Sequence, residues 1–244
     1  MGNVMFDKGA GGGRRLGVIV LSTDETLEYE ARQMLEGRGV NLMHNRIESD
    51  PKVTPDSLKA MAARIPEVAR LLPSQLGAIA YGCTSASVFI GPEGVEGQVQ
   101  SAQPEVPVTN PISAVIAALA ALRARRIGLV TPYTADVAAP MRGFLADHGI
   151  ETVAEVSFGE GDDRKVARIA QRSTLKAMLE VGHADGVEAV FASCTNLGSF
   201  EVIDQAEDEL SMPVISSNLA LIWHLLKKAG IPATGWGPGR LFQI

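Results

Sequence analysis

The sequence predicts an α/β protein of two pseudo-symmetric flavodoxin-like (Rossmann-like) lobes, each a parallel sheet covered by helices, with an active site in the cleft between them. Three observations point there. Short β-branched apolar runs alternate with longer amphipathic segments, the pattern of parallel strands joined by crossover helices. That alternation occurs twice along the 244 residues. The two copies carry the only two cysteines, Cys83 and Cys194, at the same place, 111 positions apart.

Each element follows from the residues. The first 15, MGNVMFDKGAGGGRR, lack the apolar stretch of a secretory signal and read as a flexible leader. GAGGGRR follows no strand, so it lacks the setting of a nucleotide loop. Leu16–Val40 reads as a strand, a polar turn, an amphipathic helix and a glycine stop. It can be laid over Ile127–Ile150, with Gly17 on Gly128, Thr23 on Thr134 and, after a one-residue gap, Gly39 on Gly149. Second strands are expected at Val40–Ile47 and Glu151–Phe158. The third, LGAIAYGCT (Leu76–Thr84), matches VEAVFASCT (Val187–Thr195). Helices are expected at Thr54–Leu72, Ile112–Arg125, Arg172–Val181 and Asn218–Gly230, the last able to cross between lobes. GPEGVEG (Gly91–Gly97) reads as a mobile loop beside the Cys83 turn. The run Arg123, Arg125 and Arg126 reads as a solvated helix end. Each half is thus three strand–helix units. The lobes are expected at residues 16–125 and 126–230, and 231–244 as a tail docked on a lobe or on a second subunit.

Composition narrows the function. A hydrophobic share of 46% with 20% charged residues suits a globular protein with a sizeable core. The net charge of −6 argues against a nucleic-acid or anionic-membrane partner. No apolar run is long enough to span a bilayer. Two cysteines in a leaderless chain suggest free thiols in a reducing cytoplasm. His44, His148, His183 and His224 share no ligand spacing with one another or with the cysteines, so no transition-metal site is expected.

The cysteine turns carry the chemistry. In YGCTSAS and ASCTNLG each cysteine ends an apolar strand and opens a polar turn, where outward N–H groups favour a thiolate or a substrate carboxylate. Thr84, Ser85, Thr195 and Asn196 add side-chain donors to that cradle. A lone cysteine at a strand end is ordinarily a small buried hydrophobe; two at one repeat position, each before a threonine, are harder to explain that way. Two thiols flanking a planar carbon allow two-base racemisation, one removing an α-proton and the other returning one. They equally allow thiolate addition to a double bond, rotation and elimination. The spacing does not choose between these schemes.

The chain resembles the aspartate/glutamate racemase superfamily, in the branch of maleate cis-trans isomerase and arylmalonate decarboxylase. The resemblance runs from Leu16 to the C-terminus on GVIVLSTDETLE, YGCTSAS, LVTPYTADV, DDRKVARI, SCTNL and PVISSN. It implies a cofactor-independent Cys–Cys site, with Cys83 as nucleophile, Cys194 as proton-handling partner and Tyr133 as a carboxylate-binding hydroxyl. It also implies a homodimer. Decarboxylases of the branch lack the first cysteine, so the presence of Cys83 disfavours decarboxylation. Two positions depart from the maleate isomerase pattern. Asp24 and Asp163 stand where asparagines bind a substrate carboxylate, and an aspartate suits an ammonium or hydroxyl better. With GCTSAS and SSN, they make the chain resemble the ectoine-utilisation (EutA) group, implying a racemase or isomerase on an amino-bearing acid. Asp24 can equally be a helix N-cap, and Tyr133 a buried structural residue. Ser22 lies opposite Tyr133 in the repeat, so the halves are not chemically identical there. The rival from another class is a lobe-closing protein that binds a small carboxylate without chemistry.

Overall fold

The apolar runs become strands buried on both faces. In the computed structural model, which describes residues 4–244, β1 (Arg15–Leu21) is buried from Leu16 onward. It begins on the last residue of the expected leader, whose first three residues lie outside those described. The first half continues with α1 (Leu27–Leu35), β2 (Asn41–Ile47), α2 (Pro55–Ala60), α3 (Ile65–Arg70), β3 (Ile79–Gly82), α4 (Thr84–Ile90), α5 (Pro92–Gln100), β4 (Val108–Thr109) and α6 (Pro111–Leu122). The second half holds β5 (Arg126–Thr131), α7 (Ala135–Asp147), β6 (Glu151–Ser157), α8 (Asp163–Val166), α9 (Gln171–Gly182), β7 (Ala189–Ala192), α10 (Ile203–Leu210), β8 (Val214–Ser216) and α11 (Ser217–Lys228). Each half forms a four-stranded sheet, in the orders β2-β1-β3-β4 and β6-β5-β7-β8. Every strand pairing is parallel.

The structure corrects four readings of the sequence. Each sheet has a fourth strand, because Val108–Thr109 and Val214–Ser216 are too short to show a period. The single helix expected over 54–72 is broken at Met61–Arg64 into a 3-10 turn, and Pro66 in the first turn of α3 lacks the N–H to continue the earlier ladder. Gly91–Gly97 is not a loop. Gly91 reverses the chain at φ 86°, Pro92 opens α5, and Val95 and Val99 are buried one turn apart. Finally, α10 is an unexpected helix that buries Ile203 and Ala206.

The lobes are interlaced. Helix α11 leaves β8 with its N-terminus capped by the Ser216 hydroxyl and packs on α6, β3 and β4 of the other half. The tail buries Leu241 and Phe242 and touches both halves. Gly239 N–H donates to Asp204 (2.8 Å), and the Arg38 guanidinium donates to the Gly235 carbonyl (2.9 Å). Glu30 on α1 accepts the N–H groups of Ser199 (2.9 Å) and Phe200 (3.0 Å) and the Asn218 amide (2.7 Å). Among the described residues no helix is long and apolar enough to cross a membrane.

The repeated glycines have a packing reason. A Cβ on Gly128 of β5 would meet Val181 of α9 at 2.7 Å and its carbonyl at 3.0 Å, so the helix rides directly on the strand. Gly128→Ala is expected to cost about 1–3 kcal/mol by overpacking. Gly143 of α7 has open space around its Cβ direction, and Gly143→Ala is expected to be neutral or slightly stabilising. Urea unfolding midpoints of the two variants check the contrast.

Candidate active site

Strand β3 leads directly into Cys83, and β7 leads through Ser193 into Cys194. The two surroundings differ. Cys83 has an ordinary extended backbone and caps α4, its Sγ accepting the Ala86 N–H at 3.4 Å. Cys194 has φ 138°, a conformation that costs a non-glycine residue about 1–3 kcal/mol. It is held there from three sides. Its N–H donates to Ser217 Oγ (3.0 Å), the Asn196 N–H donates to its Sγ (3.2 Å), and Tyr133 Oη lies 3.0 Å from that sulfur.

Tyr133 links this thiol to a buried carboxylate. Its hydroxyl donates to Asp163 Oδ1 at 2.9 Å, while Thr23, from the other lobe, donates to Oδ2 at 2.5 Å. The two oxygens of Asp24 have different settings. Oδ1 accepts the N–H groups of Thr26 and Leu27 at 2.8 Å at the entry to α1, whose N-cap position is Thr26 and not Asp24. Oδ2 is buried without a partner.

The remaining expected ligands divide. Ser85 Oγ is buried and unpartnered. Thr84 donates to Ser217 Oγ (2.8 Å), and Thr195 donates to the Gly82 carbonyl (3.3 Å). The Asn196 amide is consumed in joining the lobes: it accepts from Glu25 N–H (2.9 Å) and donates to the carbonyls of Thr23 (3.2 Å) and Asp163 (2.9 Å). Thr23 and Ser217 were not anticipated from sequence. Thr23 did stand on Thr134 in the repeat, but its partner lies 140 positions away.

Electrostatics follow from burial. Desolvation pushes the Cys83 thiol up to about 12, with the Asp163 and Asp24 charges adding to it. Cys194 is likewise raised well above the usual thiol range by burial and then by Asp163. Both thiols are therefore protonated in the closed, empty cleft at neutral pH. Burial raises the Asp163 carboxyl and lifts Asp24 to about 6. Among the described residues no group of three or more His, Cys, Asp or Glu is placed to hold a metal ion.

A strap closes the cleft. Val53 N–H donates to the Gly161 carbonyl (2.9 Å) and Asp163 N–H to the Pro51 carbonyl (2.8 Å), an antiparallel bridge between the lobes. The cavity beneath, lined by Cys83, Tyr133, Asp163, Met61 and Leu21, measures about 10 Å³, the room of about one water. A cavity of that size has no room for a small acid while the bridge is closed.

The family profile described as arylmalonate decarboxylase matches residues 16–242, and the chain belongs to that family. It is 26% identical over 233 residues to the maleate isomerase of Alcaligenes faecalis, covering 89% of this chain and 91% of that one. It is 28% identical over 196 residues to the arylmalonate decarboxylase of Bordetella bronchiseptica, covering 78% and 82%. The fold superposes on a Nocardia farcinica maleate cis-trans isomerase, a cysteine-to-serine mutant with a covalently bound succinylcysteine intermediate. The TM-score is 0.82 at 25% identity, over 94% of this chain and 98% of that one. The maleate isomerase of Pseudomonas putida S16 gives a TM-score of 0.84 at 22% identity, over 93% and 96%, which speaks to fold alone.

The divided Asp24 carboxylate makes a stability prediction. Its folded value of about 6 lies above its ordinary 3.8, so ionisation opposes folding as pH rises between them, and fully above pH 6. Asp24→Asn keeps an oxygen to accept the Thr26 and Leu27 N–H groups and cannot ionise. It is expected to exceed the wild type in unfolding free energy by on the order of 2 kcal/mol above about pH 7. That gap should close near pH 4 in urea titrations at the two pH values.

Proposed function

We propose that this member of the arylmalonate decarboxylase family is a cofactor-independent isomerase acting on a small carboxylate through Cys83 and Cys194. The carrying observation is that Cys83 lines the enclosed cavity beside Tyr133, and Tyr133 Oη in turn lies 3.0 Å from Cys194 Sγ, so the two sulfurs reach one tyrosine from the third strands of the two halves in unequal settings. Cys83 faces the N–H groups that open α4, which favour a thiolate once the strap parts and a ligand replaces the dry contact. Cys194 is hydrogen-bonded through Tyr133 and suits proton exchange.

The reaction that the maleate isomerase relatives support is cis–trans isomerisation. Cys83 thiolate adds to the double bond, and the displaced electron pair settles on the carbon next to a carboxylate. Cys194 protonates that carbon, and the former double bond rotates. Cys194 then removes the proton, the C–S bond breaks, and the Cys83 thiolate is restored with the trans alkene. Ser85 Oγ and the N–H groups of α4 are the donors for the developing enolate. The covalent succinylcysteine described for the Nocardia farcinica enzyme supports this order of events. The presence of Cys83 places decarboxylation behind it.

A specific observation favours a second reading. Asp24 Oδ2 is a buried acceptor with no partner, and Asp163 lies nearby. Ionised carboxylates attract an ammonium and repel a dicarboxylate. An amino-bearing acid of ectoine breakdown, racemised by the same two thiols as in the EutA group, fits that charge.

Proton NMR in deuterated water, with maleate and separately with each enantiomer of an acetylated diaminobutyrate, decides between them. Fumarate formation supports cis–trans isomerisation, and α-deuterium incorporation supports racemisation. Ligand binding without either reaction makes the protein a binding module. Under the proposal, Cys83→Ser and Cys194→Ser each lower turnover at least about 10²-fold. The pH sign separates the substrates as well. Below about 6 a neutral Asp24 donates to a carboxylate, and above it the ion holds an ammonium. Maleate turnover, compared with that of Asp24→Asn, should therefore gain as pH falls, and an amino acid should gain as it rises.

A further inference from the structure

Tyr133 has one hydroxyl proton and two partners. Asp163 Oδ1, at 2.9 Å, is an acceptor, so the proton points there. The contact of 3.0 Å to Cys194 is then made by the thiol, whose S–H donates to the tyrosine oxygen. The second Asp163 oxygen is fixed by Thr23 at 2.5 Å, and its backbone by Pro51 and Asn196. Three groups therefore stand in one line, S–H···O–H···carboxylate, with no solvent between them. The carboxylate end adjoins the strap, and the next residue, Asp162, faces an open surface pocket with Lys52, Glu160 and Arg164.

We infer that Cys194, Tyr133 and Asp163 form a proton wire in which Asp163, a positioning residue acting through Tyr133, receives or resupplies the proton that Cys194 exchanges with substrate carbon. When Cys194 gains a proton from carbon, its S–H proton shifts to Tyr133 oxygen while the tyrosine proton shifts to Asp163. The sulfur keeps its new proton, and the carboxylate becomes a carboxylic acid. In the other direction Cys194 gives its proton to carbon. Tyr133 then protonates the thiolate, and Asp163, protonated from water when the strap is open, restores the tyrosine. Each shift breaks one bond to hydrogen and makes one, with no change of oxidation state. An asparagine at this position can hold the tyrosine but cannot carry the additional proton, so the aspartate gains a role beyond contact with substrate.

The inference rests on the two-thiol reading for its chemical meaning, but its test needs no substrate. Absent turnover and an absent wire are thus separate results. In the Cys83→Ser protein, Cys194 is the only thiol, and its S–H stretching band can be read by infrared difference spectroscopy against deuterated water. The wire predicts a band below the position of a free thiol, because the S–H donates into a charge-assisted chain. Adding Tyr133→Phe removes the acceptor and should shift the band up to the free-thiol position. Adding Asp163→Asn, which preserves shape, should also shift it up, since either end of the amide lacks the carboxylate's charge. A band already at the free position in Cys83→Ser, or one that either added substitution leaves unmoved, overturns the wire. Tyr133→Phe removes only a hydroxyl, and by itself keeps the inference falsifiable if Asp163→Asn does not fold.

Discussion

The site depends on the grip that two lobes exert on one buried carboxylate. Asp163 belongs to the second half, yet one of its oxygens is held by Thr23 of the first. Its other oxygen orients Tyr133, which lies against Cys194. Its backbone joins the strap to Pro51 and accepts from Asn196, which also reaches Thr23 and Glu25. A carboxylate away from water is costly unless fully hydrogen-bonded. Here the bonds that offset its burial are also those that join the lobes and fix the tyrosine beside the Cys194 sulfur. Closing the cleft and arranging its chemistry are one event.

A symmetric scaffold has produced asymmetric sulfurs. Both sheets share one strand order, and both cysteines follow the third strand of their half. Cys83 keeps an ordinary backbone and meets N–H donors at the start of α4. Cys194 is forced to φ 138° and is tied by Ser217, Asn196 and Tyr133. Strain of that kind persists only where surrounding bonds over-determine it, and here three of them do. The first sulfur suits bond formation with carbon. The second is tied to a tyrosine hydroxyl, so under the proposed isomerisation the two sulfurs are fitted to different tasks.

The two-lobe α/β class, the repeat and the cysteine positions were legible in the sequence because they rest on local periodicity. Glycines that recur at Gly17 and Gly128 mark strands on which other side chains ride closely. The fourth strands were not legible, since two or three residues show no period. Neither was α5, because GPEGVEG shows three glycines around one buried valine, Val95, and the second, Val99, lies beyond it. Within the site, residue types were visible but their use was not. Asn196 has the chemistry of a ligand and is spent on the interlobe seam. Asp24 looked like a choice between cap and ligand; one of its oxygens holds the entry to α1 from two residues before the N-cap, and the other has no partner. Thr23 gave no signal, because its partner is remote in sequence.

The account stands on the cleft between the sulfurs being the place where a small carboxylate binds. A crystal structure of the protein soaked with succinate, the saturated counterpart of maleate, measures this directly. The account predicts a parted strap, with a ligand carbon between Cys83 Sγ and Cys194 Sγ at about 3–4 Å from each. One carboxylate should reach Ser85. Succinate held instead in the outer pocket by Lys52 and Arg164, over a cleft that stays closed, would contradict it.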